Sequence, residues 1–225
     1  MDVRFLGHAA FALEHDGKTV LVDPFLTGNP KAAASADEVT ADAILLTHGH
    51  ADHLGDTVAI AKRTGATVVA IVELARELAD EGLDVRDPNI GGTVDLGFVT
   101  ARLTPAWHTS TTPKGTSNTP AGLVVELGGT TVYHLGDTGL FSDLALPARR
   151  QQIDLALMCI GGHYTMDRHD AVVAAELVGA TRIVPCHYDT FPPIATDAAA
   201  FKREVEAAGH AQEVVLLDPG EVLSL

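Results

Sequence analysis

The stretch THGHADHLGD, residues 47–56, places three histidines and two aspartates within ten residues. An apolar run at 43–46 leads directly into it and predicts a buried strand. Nitrogen and carboxylate ligands of this kind suit zinc and neighbouring divalent metals. One ion cannot easily use every candidate from so short a turn, so the pattern predicts that two ions share them. The candidate ligands are His48, His50, Asp52 and His53.

Asp56 closes the same stretch, but we assign it a different role. It lies at the start of a segment with helical spacing, 54–65, that ends at Gly65. We expect Asp56 to cap or solvate the start of this helix rather than to bind metal.

Three further candidate ligands follow apolar runs farther along the chain. They are His108 in PAWHTST, Asp137 in VYHLGDTG and His187 in IVPCHYDTFP. Side chains at strand ends can converge on one edge of a sheet, where sites on such folds are usually built. Asp137 is the best candidate for a bridging carboxylate, because one aspartate can give an oxygen to each of two metals.

The composition is that of a globular protein and disfavours polyanionic partners. Of the 225 residues, 46% are hydrophobic and 20% are charged, and the length suits one domain spanning 1–225. A formal net charge of −15 repels phosphate backbones and anionic membranes. No stretch approaches the roughly 20 apolar residues that a membrane span needs. We therefore expect a small-molecule substrate, no nucleic-acid partner and no membrane partner.

The termini and the cysteines predict a cytoplasmic location. The N-terminal MDVRFLGHAAF lacks a basic region followed by a long apolar run, so it does not predict a secretory signal. The two cysteines, Cys159 and Cys186, do not suggest a disulfide framework.

Hairpins and strand–helix alternation occur in both halves of the chain, which predicts an α/β fold of sheets covered by helices. The pairs Asp16-Gly17 and Gly128-Gly129 predict hairpin turns, and 167–180 predicts a helix capped by Asp167 and Gly179. We predict a terminal hairpin for EVVLLDPGEVLSL, at 213–225. Trp107 is expected in the core, and His15, His134, His169 and His210 are expected to be structural or surface residues.

Taken together, these motifs resemble the metallo-β-lactamase fold superfamily, whose hallmark is HxHxDH followed by a distant His, Asp and His. All seven positions are matched, and the resemblance covers essentially the whole chain. The segments LGHAAF, LTHGHADH, GDTG, IGGHYTM and HYDTFP look more closely like the UPF0173-type metal-dependent hydrolases. The chain is similar, more distantly, to ascorbate-6-phosphate lactonases and N-acyl-phosphatidylethanolamine phospholipase D.

The resemblance implies a four-layer αββα sandwich with two divalent metal ions at one edge. His48, His50 and His108 would hold the first metal, Asp52, His53 and His187 the second, and Asp137 would bridge them. Zinc is the metal expected first, with manganese, nickel and iron as alternatives. Such a site would activate a bridging water to attack an ester, lactone or phosphodiester bond, with Asp52 helping to orient it.

Several other residues are candidates for contact with substrate or ligands. His163 follows an apolar strand and the pair Gly161-Gly162, which would let the backbone approach a substrate closely. We predict a catalytic role for His163, as a general acid or an oxyanion-stabilising donor, with a structural role at the helix entry as the alternative. Thr165 and His8 complete this group, and a turn-anchoring role is the alternative for His8. The loops at 25–40, 109–122 and 189–195 are expected to select substrate.

Two other functions remain open. One is a non-catalytic metal-dependent binding or sensor module, since intact ligands do not require turnover. The other is an RNA-processing nuclease of the same fold, which the negative charge disfavours. The sequence identifies neither the substrate nor the oligomeric state, so a homo-oligomer is left open.

Overall fold

Two seven-stranded sheets carry the apolar runs of the chain in a computed structural model that describes residues 1–225. The strands of the first half are β1 (Asp2–Gly7), β2 (Ala10–His15), β3 (Lys18–Val22), β4 (Ala43–Leu45), β5 (Thr67–Val69) and β6 (Val85–Arg86). They are followed by β7 (Thr93–Asp95), β8 (Val99–Pro105), β9 (Ala121–Leu127), β10 (Thr130–His134), β11 (Leu155–Cys159), β12 (Arg182–Cys186), β13 (Glu213–Val214) and β14 (Val222–Ser224). The helices are α1 (Ala51–Leu54), α2 (Thr57–Thr64), α3 (Val72–Asp80), α4 (Leu146–Arg150), α5 (Arg168–Val178) and α6 (Ala198–Ala207), with 3-10 turns at Ser142–Ala145 and Pro192–Ile194.

The two sheets share one strand topology. The first has the order β14-β1-β2-β3-β4-β5-β6, and the second has the order β13-β12-β11-β10-β9-β8-β7. In each, an antiparallel meander of three strands is followed by parallel strands, β3 to β6 in the first and β10 to β13 in the second. Consequently β1, β3 and β4 run in one direction in the first sheet, and β8, β10, β11 and β12 share one direction in the second.

Both predicted hairpin turns are present. Asp16 and Gly17 have φ values of 47° and 74°, and Gly128 and Gly129 have φ values of 59° and 79°. Two successive positive φ angles are those of a type I′ turn, whose twist matches that of the flanking strands. These turns therefore join β2 to β3 and β9 to β10 with the tightest loop available.

Alternation along the strands of the second sheet separates two apolar layers. In β11, Leu155 and Leu157 face the cluster shared with the first sheet, whereas Ala156 and Met158 face the cluster packed under α5 and α6. A period of two residues per repeat produces this division. Leu74 of α3 packs with the first sheet in the shared cluster, whereas the buried residues of α5 and α6 all belong to the other cluster. The layers are therefore helix, sheet, sheet and helix, which confirms the predicted αββα sandwich.

The caps of α5 also follow the prediction. The Asp167 carboxylate accepts hydrogen bonds from the backbone N–H groups of His169 and Asp170, both at 2.9 Å. Gly179 ends the helix in the left-handed conformation with φ of 60°. None of the helices combines the length and the apolar composition that a membrane span requires.

Two expectations are wrong. The C-terminal segment does not form a hairpin, because β13 pairs with β12 and β14 pairs with β1, in different sheets. Trp107 does not lie in the core: 71% of its surface is exposed, and its ring contacts Phe141 edge-on at 6.4 Å. It directly precedes His108 in a segment that leaves the sheet after β8, where alternation no longer decides which side chains are buried.

Candidate metal centre

The seven predicted metal ligands lie on segments that follow β4, β8, β10 and β12. His48 lies three residues beyond the end of β4, His108 three beyond β8, Asp137 three beyond β10 and His187 one beyond β12. The carboxyl ends of strands with the same direction meet at one edge of a sheet. The fold therefore brings these four segments to one place, although they are far apart in sequence.

His48, His50 and His108 form the first cluster, with ligand atoms within 4.8 Å of one another. The His48 Nε2 and His50 Nδ1 atoms are 3.1 Å apart. Residues two apart along an extended chain point to the same side, and His50, at the N-cap of α1, still has extended backbone angles. This spacing lets the two rings converge.

His53 and His187 belong to a second cluster, in which Asp52 and His8 also take part. His187 Nε2 is 4.0 Å from Asp52 Oδ2, and the rings of His53 and His187 are stacked at 5.5 Å. His53 and His187 are buried, whereas the carboxylate of Asp52 is about one-third exposed and faces the cavity.

Asp137 lies between the two clusters. Its Oδ1 is 3.3 Å from His53 Nε2, and its Oδ2 is 3.1 Å from His187 Nε2 and 3.6 Å from His108 Nε2. Asp137 is only 3% exposed, so these rings are the immediate surroundings of its carboxylate. This is the position that a bridging carboxylate would occupy, and the assignment of the seven residues as ligands stays a prediction.

Asp23 was not identified from the sequence, yet it is hydrogen-bonded directly to the second cluster and, through Thr47, to the first. It directly follows β3, is fully buried, and accepts from the Thr47 hydroxyl at 2.6 Å and from His53 Nδ1–H at 2.7 Å. Since the only hydroxyl hydrogen of Thr47 is donated to Asp23, Thr47 Oγ1 accepts from His48 Nδ1–H, at 3.0 Å. Asp23 thereby leaves the Nε2 atoms of His48 and His53 available as ligands.

The electrostatics of the centre favour a cation. Burial opposes the charge on His53, yet the Asp137 and Asp23 carboxylates raise the pKa of this imidazole well above its usual value. Burial likewise opposes ionisation of Asp137, yet His187 and His53 hold the pKa of its carboxyl group well below the usual range. The carboxylates therefore stabilise a positive charge at the point where the two clusters meet.

The unpartnered atoms of the centre fit divalent metals. His53 Nε2, Asp137 Oδ1 and both ring nitrogens of His187 are buried and have no hydrogen-bond partner. Buried polar atoms normally have partners, and an unpartnered one needs an explanation such as an ion. A set of imidazoles and carboxylates is the ligand chemistry of zinc, and also of manganese, nickel and iron. The residues present therefore fit a metal at this position.

Strained backbone supports three side chains of the centre. His8, Asp23 and His187 have φ values of 60°, 45° and 55°, in the left-handed region that residues with a side chain rarely adopt. Such a residue costs on the order of 1–3 kcal/mol and persists only where its surroundings impose it. In each case the residue directly follows a strand, so the sharp turn redirects the side chain toward the site.

His8 is held in the centre by two hydrogen bonds. Its Nε2 is 3.2 Å from Asp52 Oδ2 and its Nδ1 is 2.8 Å from the Thr190 hydroxyl. Its backbone oxygen accepts from His187 N–H at 2.7 Å. The side chain is fully buried, and burial lowers the pKa of its imidazole to about 4. His8 is therefore a neutral ring that orients the Asp52 carboxylate, and it also anchors a turn.

The remaining predicted candidates lie elsewhere. His163 and the half-buried Thr165 are not among the residues that line the cavity, and the exposed His163 ring contacts Tyr164. Gly161 allows a close approach, but to the backbone oxygen of His187, which a Cβ would meet at 2.2 Å. Gly162 adopts φ of 67° at the following position. The structure therefore does not bring the catalytic candidate His163 together with the metal ligands.

Asp56 binds a loop and does not cap the helix that it precedes. It occupies the N-cap position of α2 without a capping hydrogen bond. Its carboxylate accepts instead from the N–H groups of Leu26 and Thr27, at 3.0 and 2.8 Å. The prediction that Asp56 is not among the clustered ligands agrees with this position.

A cavity of about 500 Å³ opens onto the centre. Apart from metal-ligand candidates, it is lined by Thr109, Tyr164, Phe191 and Pro193. Of the three loops expected to select substrate, 109–122 contributes only Thr109 and 25–40 contributes nothing. Ser110 and Asn118 of the first loop instead accept hydrogen bonds from Gly49 N–H, at 2.9 and 3.1 Å, and so brace the turn between His48 and His50.

Sequence reasoning missed Asp23, Thr190 and Tyr164. For Asp23 a signal was present, because it ends the apolar run VLVDP in the same way as the other candidates end theirs. Thr190 and Tyr164 follow their strands at longer distances, within turns whose direction the sequence does not show.

Comparison with known proteins agrees with the fold. The family model described as the beta-lactamase superfamily domain matches residues 18–188, which include all seven predicted ligands. A UPF0173 metal-dependent hydrolase of Carboxydothermus hydrogenoformans is 48% identical, with 100% of both chains covered. A second such hydrolase, from Methanopyrus kandleri, is 48% identical with 98% of each chain covered.

Solved structures give the same result. The structure of Igni18, described as a novel metallo hydrolase from Ignicoccus hospitalis KIN4/I, superimposes with a TM-score of 0.90 at 37% identity, covering 99% of this chain and 97% of that one. An isothiocyanate hydrolase from Delia radicum gut bacteria shares the fold, with a TM-score of 0.77 at 19% identity, covering 100% of this chain and 99% of that one. The predicted resemblance is confirmed: the chain belongs to the UPF0173 metal-dependent hydrolases of the beta-lactamase superfamily.

Proposed function

We propose that the centre is dinuclear and that it hydrolyses an ester, lactone or phosphodiester bond of a small molecule. The observation that carries the proposal is the position of Asp137, whose carboxylate contacts rings from both clusters while its Oδ1 has no hydrogen-bond partner. One ion would be held by His48, His50 and His108, and the other by Asp52, His53 and His187, with Asp137 shared between them. Zinc is the metal that this ligand set suits first.

The chemistry that two such ions supply when bound is activation of water and polarisation of the substrate oxygen. The protein's own contribution is orientation. Asp23 holds the ring of His53 directly through its Nδ1–H, and it holds the ring of His48 through the Thr47 hydroxyl. His8 holds one oxygen of Asp52. Asp52 lines the open cavity, where its carboxylate can accept a proton from an attacking water.

A small-molecule substrate is favoured over a macromolecule. The cavity of about 500 Å³ falls within the range of small-molecule sites, about 300–1,000 Å³. The net charge of −15 opposes association with RNA, so an RNA-processing nuclease is the weaker alternative. The two buried cysteines form no disulfide, and this favours a cytoplasmic location.

Metal content and turnover together test this proposal. The wild-type protein, His50→Ala and Asp52→Asn are loaded with zinc, and bound metal is measured by mass spectrometry after dialysis. Hydrolysis is followed with neutral aryl esters, lactones and aryl phosphodiesters. We expect two ions per wild-type chain, loss of metal in His50→Ala, and a loss of turnover of at least about 100-fold in both variants.

His169→Ala is the matched control, because this histidine is exposed on α5 and lies outside every cluster. It should retain both ions and full turnover. Unchanged metal content and activity in both His50→Ala and Asp52→Asn would refute the proposed centre. Two bound ions without turnover across the panel would favour the metal-dependent binding module instead.

A further inference from the structure

The part of the cavity beyond the metal-ligand candidates is uncharged and largely apolar. It consists of Thr109, Tyr164, Phe191 and Pro193. Tyr164 is 55% exposed, so much of its ring is accessible to a molecule bound in the cavity. Phe191 packs edge-on against the buried ring of His8 at 5.6 Å. Phe191 and Tyr164 form an aromatic wall of the cavity, and Phe191 places this wall in contact with the centre.

The segments that frame the cavity carry almost no positive charge. The segments 47–56, 136–142, 161–167 and 187–197 contain neither lysine nor arginine. The segment 106–120 contains one, Lys114, whose ammonium pairs with the Glu81 carboxylate. The same segments contain aspartates at 52, 56, 137, 167, 189 and 197.

A negative charge on a substrate would therefore find a partner only at the metal ions. A phosphate or carboxylate elsewhere on the substrate would lose hydration without gaining a guanidinium or ammonium contact, and this loss is costly in a partly enclosed site. An aromatic or aliphatic body would instead bury its surface against Tyr164, Phe191 and Pro193.

From this distribution we infer that the substrate carries an uncharged, apolar body next to its scissile bond and no phosphate or carboxylate remote from that bond. The inference rests on the proposed function for the position of the reacting group. It narrows the small-molecule class to neutral aryl or acyl compounds, and it excludes phosphorylated sugar lactones.

Binding of hydroxamates to the zinc-loaded protein tests the inference independently of turnover. Acetohydroxamate, benzohydroxamate and 4-carboxybenzohydroxamate share the metal-binding group and differ only in the body that the cavity must accept. Isothermal titration should show benzohydroxamate binding about tenfold more tightly than acetohydroxamate, and at least about tenfold more tightly than the 4-carboxy compound.

Variants of the aromatic wall locate the effect. Phe191→Ala should weaken benzohydroxamate about tenfold while leaving acetohydroxamate and the zinc content unchanged. Tyr164→Ala should act in the same direction, and Tyr164→Phe, which keeps the ring, should restore wild-type binding. Leu146→Ala is the control, because Leu146 is 48% exposed and does not line the cavity.

The outcomes separate the inference from the proposed function. Equal or tighter binding of the 4-carboxy compound, or absence of binding by all three hydroxamates, would overturn the inference. Hydrolysis is then compared for phenyl acetate and 4-carboxyphenyl acetate, with faster turnover expected for the neutral ester. If neither ester, lactone nor phosphodiester is hydrolysed while the hydroxamate preference holds, the proposed function fails and the inference about the cavity stands.

Discussion

The two halves of the chain have one strand topology but contribute to the centre in different ways. Strands β1 to β6 and β8 to β13 follow the same order in their sheets, so that β1 corresponds to β8, β3 to β10 and β4 to β11. His8 and His108 follow the first pair of strands, and Asp23 and Asp137 follow the second pair. Equivalent strand ends thus carry the same residue type in both halves.

The halves diverge after the fourth strand of each. In the first half, β4 leads into the turn that carries His48, His50, Asp52 and His53. In the second half, β11 leads into IGGHYTM, and the exposed His163 of that segment does not reach the cavity. The second half instead contributes single ligand candidates from three separate segments. One scaffold therefore supports a locally dense set of ligands on one side and a dispersed set on the other.

The equivalent aspartates, Asp23 and Asp137, also have different contacts in the centre. Asp137 contacts His53 through its unpartnered Oδ1 and contacts His108 and His187 through Oδ2. Asp23 instead uses its oxygens to accept from Thr47 and His53. The same residue type at corresponding positions is thus a candidate ligand in one half and an orienting group in the other. Substitution of each aspartate tests this difference.

The largest effect is expected for Asp137→Asn. The amide of asparagine has one oxygen where the carboxylate has two, and it carries no charge. The positive charge at the junction of the clusters would therefore lose its nearest anionic partner. We expect bound zinc to fall below two ions per chain and kcat/KM to fall by about 1,000-fold or more, because several kcal/mol of transition-state stabilisation depend on the metals. Metal analysis and steady-state kinetics measure both quantities.

A smaller effect is expected for Asp23→Asn. The variant keeps the size of the side chain but weakens its acceptance from Thr47 and His53, so the rings of His48 and His53 lose their fixed orientation. Loss of an outer-shell partner of a ligating histidine lowers metal affinity by about 10–100-fold. Titration with a competing zinc chelator measures this change, and excess zinc should restore most of the turnover.

The two aspartates would prove equivalent if excess zinc restored Asp137→Asn as fully as Asp23→Asn. That result would remove Asp137 from the ligand set and contradict the difference between the halves.

The smallest effect concerns a contact that joins the halves. His134 Nδ1 accepts from Gly136 N–H at 3.0 Å, so its Nε2–H donates to the Ala9 backbone oxygen, at 3.1 Å. Burial lowers the pKa of this imidazole below its usual 6.5. The unfolded chain therefore takes up a proton here as the pH falls below 6.5 while the folded chain does not, and the free energy of unfolding decreases.

We expect His134→Asn to lose about 1–3 kcal/mol of stability at pH 8, since buried polar groups lose a partner. Between pH 7 and pH 5 the variant should lose less stability than the wild type, by up to about 1.4 kcal/mol per pH unit. Urea denaturation of the chelator-treated proteins measures both effects. An identical pH dependence in the two proteins would show that His134 titrates normally in the folded state.

Local patterns predicted the parts of the fold that depend on neighbouring residues. The type I′ turns at Asp16-Gly17 and Gly128-Gly129 follow from glycine's tolerance of positive φ, and the cap of α5 follows from the reach of the Asp167 carboxylate. The hairpin predicted for the C-terminal segment is absent because its two strands pair with β12 and β1, and the choice of partner strand is not a local property. The prediction that Trp107 lies in the core was wrong for a related reason. Trp107 lies beyond the end of β8, where strand alternation no longer applies.

By itself, the sequence determined the fold family and the identity of the seven candidate ligands, because strand ends and metal-binding residue types are written in consecutive letters. Only the tertiary structure decided how these residues meet. It gave Asp137 and Asp23 different contacts, brought His8 to Asp52 with Thr190 holding the other side of the His8 ring, and left His163 outside the cavity. The reason is physical: distances among side chains from distant segments depend on sheet order and on strained turns, which no short window of residues specifies.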